Sequence, residues 1–597
     1  MLDRLKKRVD RALFFGKVLR QTQVAQPIRP GRFMQFVKGA RQTRLGPHLA
    51  IMFHAAAHPD KEALVEYGAS PRQGEGRAAS GGPRVRRLTW GQLDATINRL
   101  AHALVARGVK GGSRVALMLP NGNEYLIAQQ ALARLGATAV QIGYRSKPGE
   151  IAYILSNAEP IATIVHADFV AAMREARTIS GQESRSPGSG QESRSPGKHR
   201  GPMIVVGGDG AIGSGLPSSS DRGSQTDLVD WDRAIAAESP DVPPKITEGD
   251  GGGVIVYTSG TTGKPKGANR SWRRTGFESV ADMMLQVGMK ADDRHLVVCP
   301  LYHSAAPAFV AIMMSLGATV VLMNHFDPEA ALDVIQKERV TCSLMVPTML
   351  IRMSNLPDET IKKYDTSSLR WMMSAAAQLT TEAARRWMQK FGPNLWNFYG
   401  ATETGLVTLA GPHDHVNRPG TIGKALRGNQ IRLLDDAGAE VPQGQIGELY
   451  TRNSTLISGY HNNDEATSSA QKHGFFSVGD MGRADQDGYF FLESRKHDMV
   501  ISGGVNIYPR EIEDHIHTHP AVLEAAVIGV PDPEWGETLR AFIVIRNGQH
   551  VTEAEVIDFC RSGLADYKRP RKVTFLVELP RNPTGKVLKR ELRERAG

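Results

Sequence analysis

Residues 254–268, VIVYTSGTTGKPKGA, combine residue types that suit phosphate binding. Glycines let backbone N–H groups curl around an anion, Ser and Thr hydroxyls add donors, and two lysines add positive charge. The apolar run before the turn predicts a short buried strand, and a glycine-rich turn at a strand end is a frequent nucleotide position. The Walker A pattern is excluded because Pro265 follows Gly263 and Lys264. On composition alone, a flexible surface loop stays an alternative.

Four further segments carry residue types that handle charged substrates. They are PLYHSAAPAF (300–309), NLWNFYGATETG (394–405), FFSVGDMGRADQDGYFFLESRKHD (475–498) and PRNPTGKVLKREL (580–592). Taken singly, their charged residues have ordinary structural explanations, because most Glu and Lys side chains are simply exposed. A lone histidine beside Pro and Ala is likewise more often structural. The functional interpretation therefore depends on the segments occurring together.

Length and composition indicate a globular protein of more than one domain. The chain has 597 residues, of which 41% are hydrophobic and 23% charged. Its three cysteines are far apart, which predicts neither a disulfide framework nor a metal site. No stretch reaches the roughly 18 apolar residues of a membrane span, and no secretory signal is evident. We therefore expect a cytoplasmic protein.

The positive charge is concentrated at the N-terminus. Residues 1–50 hold twelve Lys and Arg against two Asp, so they account for nearly all of the formal net charge of +11. The near-neutral remainder argues against a nucleic-acid partner. Residues 1–20 have the pattern of a basic amphipathic helix. Two interpretations stay open: peripheral contact with the inner face of the plasma membrane, or docking on the protein's own body or on a second copy in a homodimer.

Alternating strand-like and helical segments predict an α/β fold. RVALMLP (114–120), HLVVCP (295–300), ATVVLMN (318–324) and TCSLMVP (341–347) are apolar runs separated by helical patterns, as in layers built on mostly parallel sheets. A smaller α+β unit of about 100 residues follows a composition change near residue 493. Residues 180–226, which include SGQESRSPG twice in tandem, predict a disordered insertion.

In order and in residue types, the five segments resemble the motifs of the adenylate-forming (ANL) superfamily. The resemblance covers roughly residues 45–597 and is greatest to bacterial fatty-acid–CoA ligases of the long-chain acyl-CoA synthetase type. Residues 1–45, a basic extension by their charge, and the insertion at 180–226 are not covered by it. The resemblance implies an AMP-binding N-terminal domain (46–496) with a small barrel-like part, and a mobile C-terminal domain (497–597) that carries the catalytic lysine.

The resemblance implies two chemical steps. A carboxylate and ATP first give an acyl-adenylate and pyrophosphate, and the thiol of coenzyme A then displaces AMP. Because both first substrates are anionic, this step needs charge neutralisation and alignment. The positions that match the ATP/AMP-binding motifs are Thr258, Ser259, Gly260, Thr261, Thr262, Gly263, Lys266, Ala376, Ala377, Phe398, Tyr399, Gly400, Ala401, Thr402, Asp480, Arg495 and Lys586.

Catalytic roles also follow from the resemblance. The catalytic positions are Lys586, Glu403, His303 and Thr258, and Thr258 and Glu403 match the residues that hold Mg²⁺. Tyr399 matches the residue that stacks on adenine, and Asp480 and Arg495 match ribose contacts. His497 falls on the hinge, where many members carry Asp or Lys, and Gly503 and Gly504 fall on the coenzyme A tunnel. No tightly bound prosthetic group is expected.

Three alternatives to a fatty acyl-CoA synthetase remain. A fatty acyl-AMP ligase would deliver the acyl group to a separate carrier protein, and an aryl-acid–CoA ligase would take a different acid. A binding protein with a degenerate nucleotide fold is disfavoured because Lys586 and Glu403 are both present. The length of the acyl chain cannot be read from the sequence.

Overall fold

The computed structural model describes residues 2–24, 28–68, 85–183, 201–207, 228–244, 252–258, 265–272, 277–582 and 585–596. Contacts divide the chain into two compact units: Met1–Leu344 with Ile457–Thr467, and Met345–Leu456 with Ser468–Gly597. Up to residue 345 the elements are, in order, α1 (Leu2–Thr22), α2 (Pro30–Gln42), α3 (His48–Ala57), β1 (Glu62–Tyr67), β2 (Val85–Thr89), α4 (Trp90–Ala106), β3 (Arg114–Met118), α5 (Asn123–Leu135), β4 (Thr138–Gln141), α6 (Pro148–Ala158), β5 (Ala162–His166), α7 (Val170–Glu183), β6 (Met203–Val206), β7 (Leu228–Asp230), α8 (Trp231–Ala236), β8 (Gly253–Thr258), β9 (Lys266–Ser271), α9 (Phe277–Val287), β10 (Arg294–Val297), α10 (Ala305–Leu316), β11 (Thr319–Met323), α11 (Pro328–Glu338) and β12 (Cys342–Met345).

The remaining elements follow the same order. They are α12 (Pro347–Ser354), α13 (Asp358–Ile361), β13 (Trp371–Ser374), α14 (Thr381–Phe391), β14 (Leu395–Ala401), β15 (Gly405–Ala410), α15 (Pro412–Asn417), β16 (Thr421–Ala425), β17 (Gln430–Leu434), β18 (Gly447–Arg452), β19 (Gly459–Tyr460), α16 (Asp464–Ser469), β20 (Gln471–Lys472), β21 (Phe475–Ala484), β22 (Phe490–Arg495), β23 (Val500–Ser502), β24 (Val505–Ile507), α17 (Pro509–His517), β25 (Val522–Asp532), β26 (Gly536–Ile545), α18 (Glu553–Gly563), β27 (Lys572–Phe575) and α19 (Lys589–Ala596). Short 3₁₀ helices cover Ala167–Phe169, Lys496–Asp498 and Asp566–Lys568.

The first unit contains two mostly parallel sheets. One has the strand order β19-β9-β8-β4-β3-β5-β6-β7, in which β8 through β7 run parallel. The other has the order β2-β1-β11-β10-β12 and is parallel except at β2. The apolar runs that predicted strands at β3, β8, β10, β11 and β12 are confirmed, as is the alternation with helices.

The second unit places β13 parallel to β14 and continues antiparallel through β15, β16, β22, β21, β18 and β17. A tyrosine, Tyr399, packs with Val407, Ile422 and Leu449 in the core of this large sheet. Its described strands form an open sheet, so the expected barrel-like part is present as antiparallel strands without closure.

The last five strands of the chain form a separate small sheet. Strands β24-β23-β26-β25 pair antiparallel, and β27 joins β26 in parallel. This C-terminal sheet has its own buried core, to which α17 contributes Ile512 and Ile516 and α18 contributes Val556 and Cys560. The predicted small α+β unit is confirmed as a set of elements with an independent core.

The predicted insertion at 180–226 is corrected in part. Met203–Val206 forms β6, a buried strand paired in parallel with β5 and β7, and α7 continues to Glu183. The four apolar residues MIVV were a strand signal too short to stand out among polar neighbours. Residues 184–200 and 208–227 lie outside the described residues, as do 259–264, which include most of the predicted phosphate loop.

The N-terminal helix α1 packs on the first unit. The Phe15 ring lies 5.3 Å from that of Phe277, the Gln21 side chain donates to the Leu285 carbonyl at 2.8 Å, and Val18 and Thr22 are buried. Leu13 of the same helix is 69% exposed. Docking on the protein's own body is thus observed for this part of α1. Among the described residues, no helix has the length and apolarity needed to span a bilayer.

Candidate active site

A cavity of about 280 Å³ in the second unit gathers several of the predicted residues. One wall comes from the large sheet, with Tyr399 on β14, Asp480 on β21 and Arg495 on β22. The opposite wall comes from the C-terminal elements and includes Lys586 and Asp498. Segments nearly 200 residues apart in sequence therefore meet at one site, as the resemblance implied.

Tyr399, Asp480 and Arg495 form a hydrogen-bonded group. The Tyr399 hydroxyl donates to Asp480 Oδ2 at 2.8 Å, and Arg495 Nε lies 3.3 Å from Asp480 Oδ1. Asp480 and Arg495 face each other across the β21–β22 ladder, so the sheet fixes their spacing. Burial and the neighbouring Asp480 raise the pKa of Tyr399 far above its ordinary value, and the ring stays neutral.

Lys586 is surrounded by charges of both signs. Burial, and after it the neighbouring Arg495, lower the pKa of its ammonium to about 8, against the opposing effect of Asp480 and Asp498. Its backbone N–H donates to the Asn582 side chain at 2.9 Å. A lysine poised between carboxylates and an arginine can neutralise an anion that enters beside it.

The loop after β14 is fixed by glycine and threonine. A Cβ at Gly400 would lie 1.9 Å from the Gly405 carbonyl oxygen, so only glycine fits there. The Thr404 hydroxyl accepts from the Ala401 N–H at 3.0 Å, and the Thr404 carbonyl accepts from Asn453 at 3.0 Å. Within this loop Glu403 is buried, with 7% exposure. Phe398, Tyr399 and Gly400 line the cavity, while Ala401, Thr402 and Glu403 continue the same segment.

Ala376 and Ala377 line the cavity after β13. Ala376 has φ +69°, a left-handed conformation that costs an alanine about 1–2 kcal/mol. The predicted position is therefore at the site, held in a strained backbone.

The first unit holds three further predicted residues that the structure describes: Thr258, Lys266 and His303. Thr258 ends β8 opposite Lys266 on β9, with its hydroxyl 3.4 Å from the Lys266 carbonyl. His303 follows β10, and its ring lies 4.2 Å from that of Tyr302. Burial and Arg145 lower the pKa of His303 to about 3, so the ring is neutral near pH 7. Ser259, Gly260, Thr261, Thr262 and Gly263 lie outside the described residues.

The predicted hinge lies between two sets of ion pairs. Before it, Lys496 Nζ reaches Asp436 at 2.6 Å and Glu448 at 3.1 Å. After it, Asp498 pairs with Arg593 of α19 at 2.8 Å. Burial is the main cause that lowers the pKa of His497. His497, the predicted hinge residue, is thus flanked by one ion-paired residue bound to the large sheet and one bound to the C-terminal elements.

Gly503 and Gly504 form a two-residue hairpin between β23 and β24. Ser502 pairs with Val505, and the two glycines have φ +55° and +79°. A turn of this length with positive φ at both positions favours glycine. Gly503 also approaches Trp535 closely, because a Cβ there would lie 2.9 Å from the ring.

Among the cavity residues that sequence reasoning missed, two are polar groups close to predicted ones, Asn397 and Asp498. Asn397 lines the cavity, and its buried side-chain oxygen has no hydrogen-bond partner within the part of the chain that the structure describes, so it is a ready acceptor for a ligand. Strand alternation was the available signal, since Asn397 precedes Tyr399 by two positions and shares its face. Asp498, adjacent to the hinge, is the second.

The donor set predicted for Mg²⁺ fits that ion chemically. Thr258 offers a hydroxyl oxygen and Glu403 a carboxylate, and Mg²⁺ prefers oxygen ligands and usually keeps waters or substrate phosphates. Across the described residues, no three His, Cys, Asp or Glu side chains are grouped to enclose a metal by themselves.

Comparison with known proteins establishes the family. The model for the AMP-binding enzyme family matches residues 53–461, and that for the AMP-binding enzyme C-terminal domain matches residues 511–586. The chain belongs to the AMP-binding enzymes, which confirms the predicted superfamily. It is an acid–CoA ligase that works through an adenylate and uses ATP and coenzyme A.

Several relatives cover most of the chain. A feruloyl-CoA synthase of Amycolatopsis is 33% identical over 85% of this chain and 94% of its own length. An indoleacetate–CoA ligase of Aromatoleum aromaticum is 34% identical over 85% and 93%, and a long-chain-fatty-acid–CoA ligase of Mycobacterium tuberculosis 32% over 85% and 93%. Among solved structures, ATP-bound MatB from Rhodopseudomonas palustris is 29% identical over 92% and 99%, with a TM-score of 0.74.

Proposed function

We propose that this protein activates a fatty acid with ATP to an acyl-adenylate and transfers the acyl group to coenzyme A. The observation that carries the proposal is the cavity in which Lys586 faces Asp480 and Arg495. The Asp480 carboxylate can accept hydrogen bonds from sugar hydroxyls, and the cationic Lys586 and Arg495 can bind a phosphate and the carboxylate of the acid substrate. Both are needed where two anions must react.

Each residue has a role in the proposed first step. Asp480, held by Tyr399 and Arg495, accepts hydrogen bonds from the ribose hydroxyls, and the Tyr399 ring lies against adenine. The Lys586 ammonium binds the α-phosphate and the attacking carboxylate, so that the carboxylate oxygen displaces pyrophosphate. Thr258 and Glu403 would hold Mg²⁺, which supplies further charge neutralisation on the phosphates. Neutral His303 flanks the acyl group.

The second proposed step needs a rearrangement. The coenzyme A thiol attacks the acyl carbonyl carbon, AMP leaves with the bonding electron pair, and the thiol proton passes to solvent or AMP. Rotation at His497 withdraws Lys586 and brings the Gly503–Gly504 hairpin towards the site. The flanking ion pairs at Lys496 and Asp498 support a hinge confined to this position.

An aromatic acid is the second candidate substrate. Two relatives named above, the feruloyl-CoA synthase and the indoleacetate–CoA ligase, support it at identities slightly above that of the fatty-acid relative. Apolar Ile351 and Leu379 in the cavity wall suit either an alkyl chain or a ring. The choice between fatty and aromatic acids is therefore the first question for experiment.

The test is AMP release measured with fatty acids from short to very long and with aromatic acids, each with and without coenzyme A. Release that requires coenzyme A, together with an acyl-CoA product, supports the proposal and ranks the acids. Pyrophosphate release with a trapped adenylate but no turnover with coenzyme A would indicate a carrier protein as acceptor. No adenylate from any acid would contradict the proposed function.

We further propose peripheral membrane contact through the N-terminal helices. On α1, Leu13 and Leu19 are 69% and 50% exposed beside exposed Lys17 and Arg20, and on α2 Met34 is 69% exposed. Exposed apolar residues among cations suit an anionic bilayer surface. Because the other side of α1 packs on the body, the helix can present this face without detaching.

A further inference from the structure

Arg510 connects the C-terminal elements to the large sheet. It is the second residue of α17, and its side chain is only 8% exposed. One terminal nitrogen of its guanidinium donates to the Leu492 carbonyl at 2.5 Å and the other to the Gly420 carbonyl at 3.0 Å. Its Nε lies 3.3 Å from Asp514, one turn along the same helix.

The two carbonyl contacts cross between structural parts. Gly420 directly precedes β16 and Leu492 lies in β22, and both strands belong to the large sheet. Asp514, in contrast, belongs to the same helix as Arg510 and moves with it. A planar guanidinium has N–H donors on two separate terminal nitrogens, so it can bind two carbonyl oxygens at once. Burial strengthens each of these hydrogen bonds.

The contacts of Arg510 lie at the cavity in which the proposed reaction takes place. Arg510, Gly420 and Leu492 line the same cavity as Lys586 and Arg495. All of the large-sheet partners precede His497, whereas Arg510 and Lys586 follow it. A rotation at the hinge therefore must break both carbonyl bonds while it removes Lys586 from the cavity.

We propose that Arg510 is a positioning residue that holds the C-terminal elements, and with them Lys586, in the arrangement for acyl-adenylate formation. It contributes nothing to thioester formation, which takes place after its bonds have broken. The inference rests on the proposed function of Lys586. A residue with only a structural role would instead affect both half-reactions alike.

The first experiment compares half-reactions in Arg510→Ala, Arg510→Lys and Arg561→Ala. Arg561 is a matched control on α18, because it is an arginine with one carboxylate partner, Asp558, and a 63% exposed side chain. Adenylate formation is followed by pyrophosphate release in a single turnover, and thioester formation starts from synthetic acyl-adenylate and coenzyme A. We expect R510A to slow adenylate formation about 10-fold to 100-fold, the effect of losing hydrogen bonds from a charged group.

We expect R510A to form the thioester at or above the wild-type rate. R510K should form the adenylate at a rate between those of the wild type and R510A. The control R561A should match the wild type in both half-reactions. Equal loss in both half-reactions, or no loss in either, would overturn the inference. If R510A does not fold, as judged by its circular dichroism and melting, R510K carries the same comparison, with the same outcomes.

A distance measurement tests the arrangement without turnover. Spin labels at Val416→Cys and Asp558→Cys, both at exposed positions, report the separation of α15, the helix just before β16 of the large sheet, and α18, while the native cysteines are buried. With a non-hydrolysable ATP analogue, the wild type should give one narrow distance, and R510A should add a second population. Identical distributions would overturn the inference. A wild type that forms no adenylate would instead overturn the proposed function alone.

Discussion

At the scale of single residues, the protonation of Lys586 makes the charge in the cavity depend on pH. Its ammonium faces Asp480 and Asp498, which favour the charge, and Arg495 and Lys589, which oppose it, while His497 lies nearby. Burial outweighs the carboxylates and brings the pKa from 10.5 to about 8. The lysine is therefore charged below about pH 8 and becomes neutral above it, within a range that an assay can reach.

We expect kcat/KM for ATP in adenylate formation to be level up to about pH 8 and to fall tenfold per pH unit above it, because that parameter reports the free enzyme. Thioester formation from preformed acyl-adenylate should lack this fall. Lys586→Ala should lose most adenylate formation, keep thioester formation and show no such limb. If kcat/KM of K586A also falls above about pH 8, a group other than Lys586 causes the fall.

Ala376 allows a separate test of backbone strain. Ala376→Gly removes about 1–2 kcal/mol of left-handed strain at a cost of about 0.5–1 kcal/mol in chain entropy. The free energy of unfolding should stay level or rise by up to about 1.5 kcal/mol, as measured from urea midpoints. The neighbouring Ala377→Gly also lines the cavity but lacks a positive φ, so it should lose about 0.5–1 kcal/mol. Equal losses in both variants would contradict the strain.

At the scale of elements, the segment that carries Lys586 is held at several points. The Asn582 N–H donates to the Lys586 carbonyl and the Asn582 side chain accepts from the Lys586 N–H, both at 2.9 Å. The Arg581 guanidinium donates to the Gly585 carbonyl at 2.5 Å and to Glu524 of β25 at 2.8 Å. A Cβ at Gly585 would lie 2.7 Å from Thr348 Oγ1, so glycine lets the segment approach α12.

Arg581→Ala should slow adenylate formation about 2-fold to 13-fold, the effect of losing a hydrogen bond of about 0.5–1.5 kcal/mol that positions Lys586. Single-turnover pyrophosphate release measures it. Unlike R510A, this variant should leave the distance between labels at positions 416 and 558 unchanged. Arg590→Ala is the control, since that side chain is 74% exposed in the same segment. A loss in thioester formation as large as that in adenylate formation would contradict a positioning role.

The elements differ in how far their sequences predict them. Apolar runs predicted β3, β8 and β10, and the motif resemblance predicted the residues that meet in the cavity. Strand β6 was missed because four apolar residues stand within a polar stretch. The contacts of Arg510 with main-chain carbonyls could not be predicted, because carbonyls are present at every residue and leave no side-chain pattern.

At the scale of the whole molecule, charge is distributed unevenly along the chain. Residues 1–50 hold twelve Lys and Arg against two Asp, and the rest is nearly neutral. Removing residues 1–45 is a poor test of membrane contact, because α1 buries Val18 and Thr22 against the body and α2 buries Gly39. Its deletion should lower stability as well as binding. Charge reversal at exposed positions separates the two effects.

Lys17→Glu with Arg20→Glu should weaken binding to phosphatidylserine-containing vesicles by roughly 30-fold, since each cation near such a surface contributes about 1 kcal/mol. Melting temperature and turnover on short, soluble acids should not change, because both side chains are exposed on α1. Lys362→Glu with Lys363→Glu changes the net charge equally at exposed positions in the second unit and should leave binding near wild type. Equal weakening in the two pairs would show that net charge alone governs adsorption, and no weakening in either would remove α1 from the membrane contact. If only the Lys17→Glu, Arg20→Glu variant loses vesicle binding, and adding short acids or ATP does not restore it, the membrane contact lies on α1.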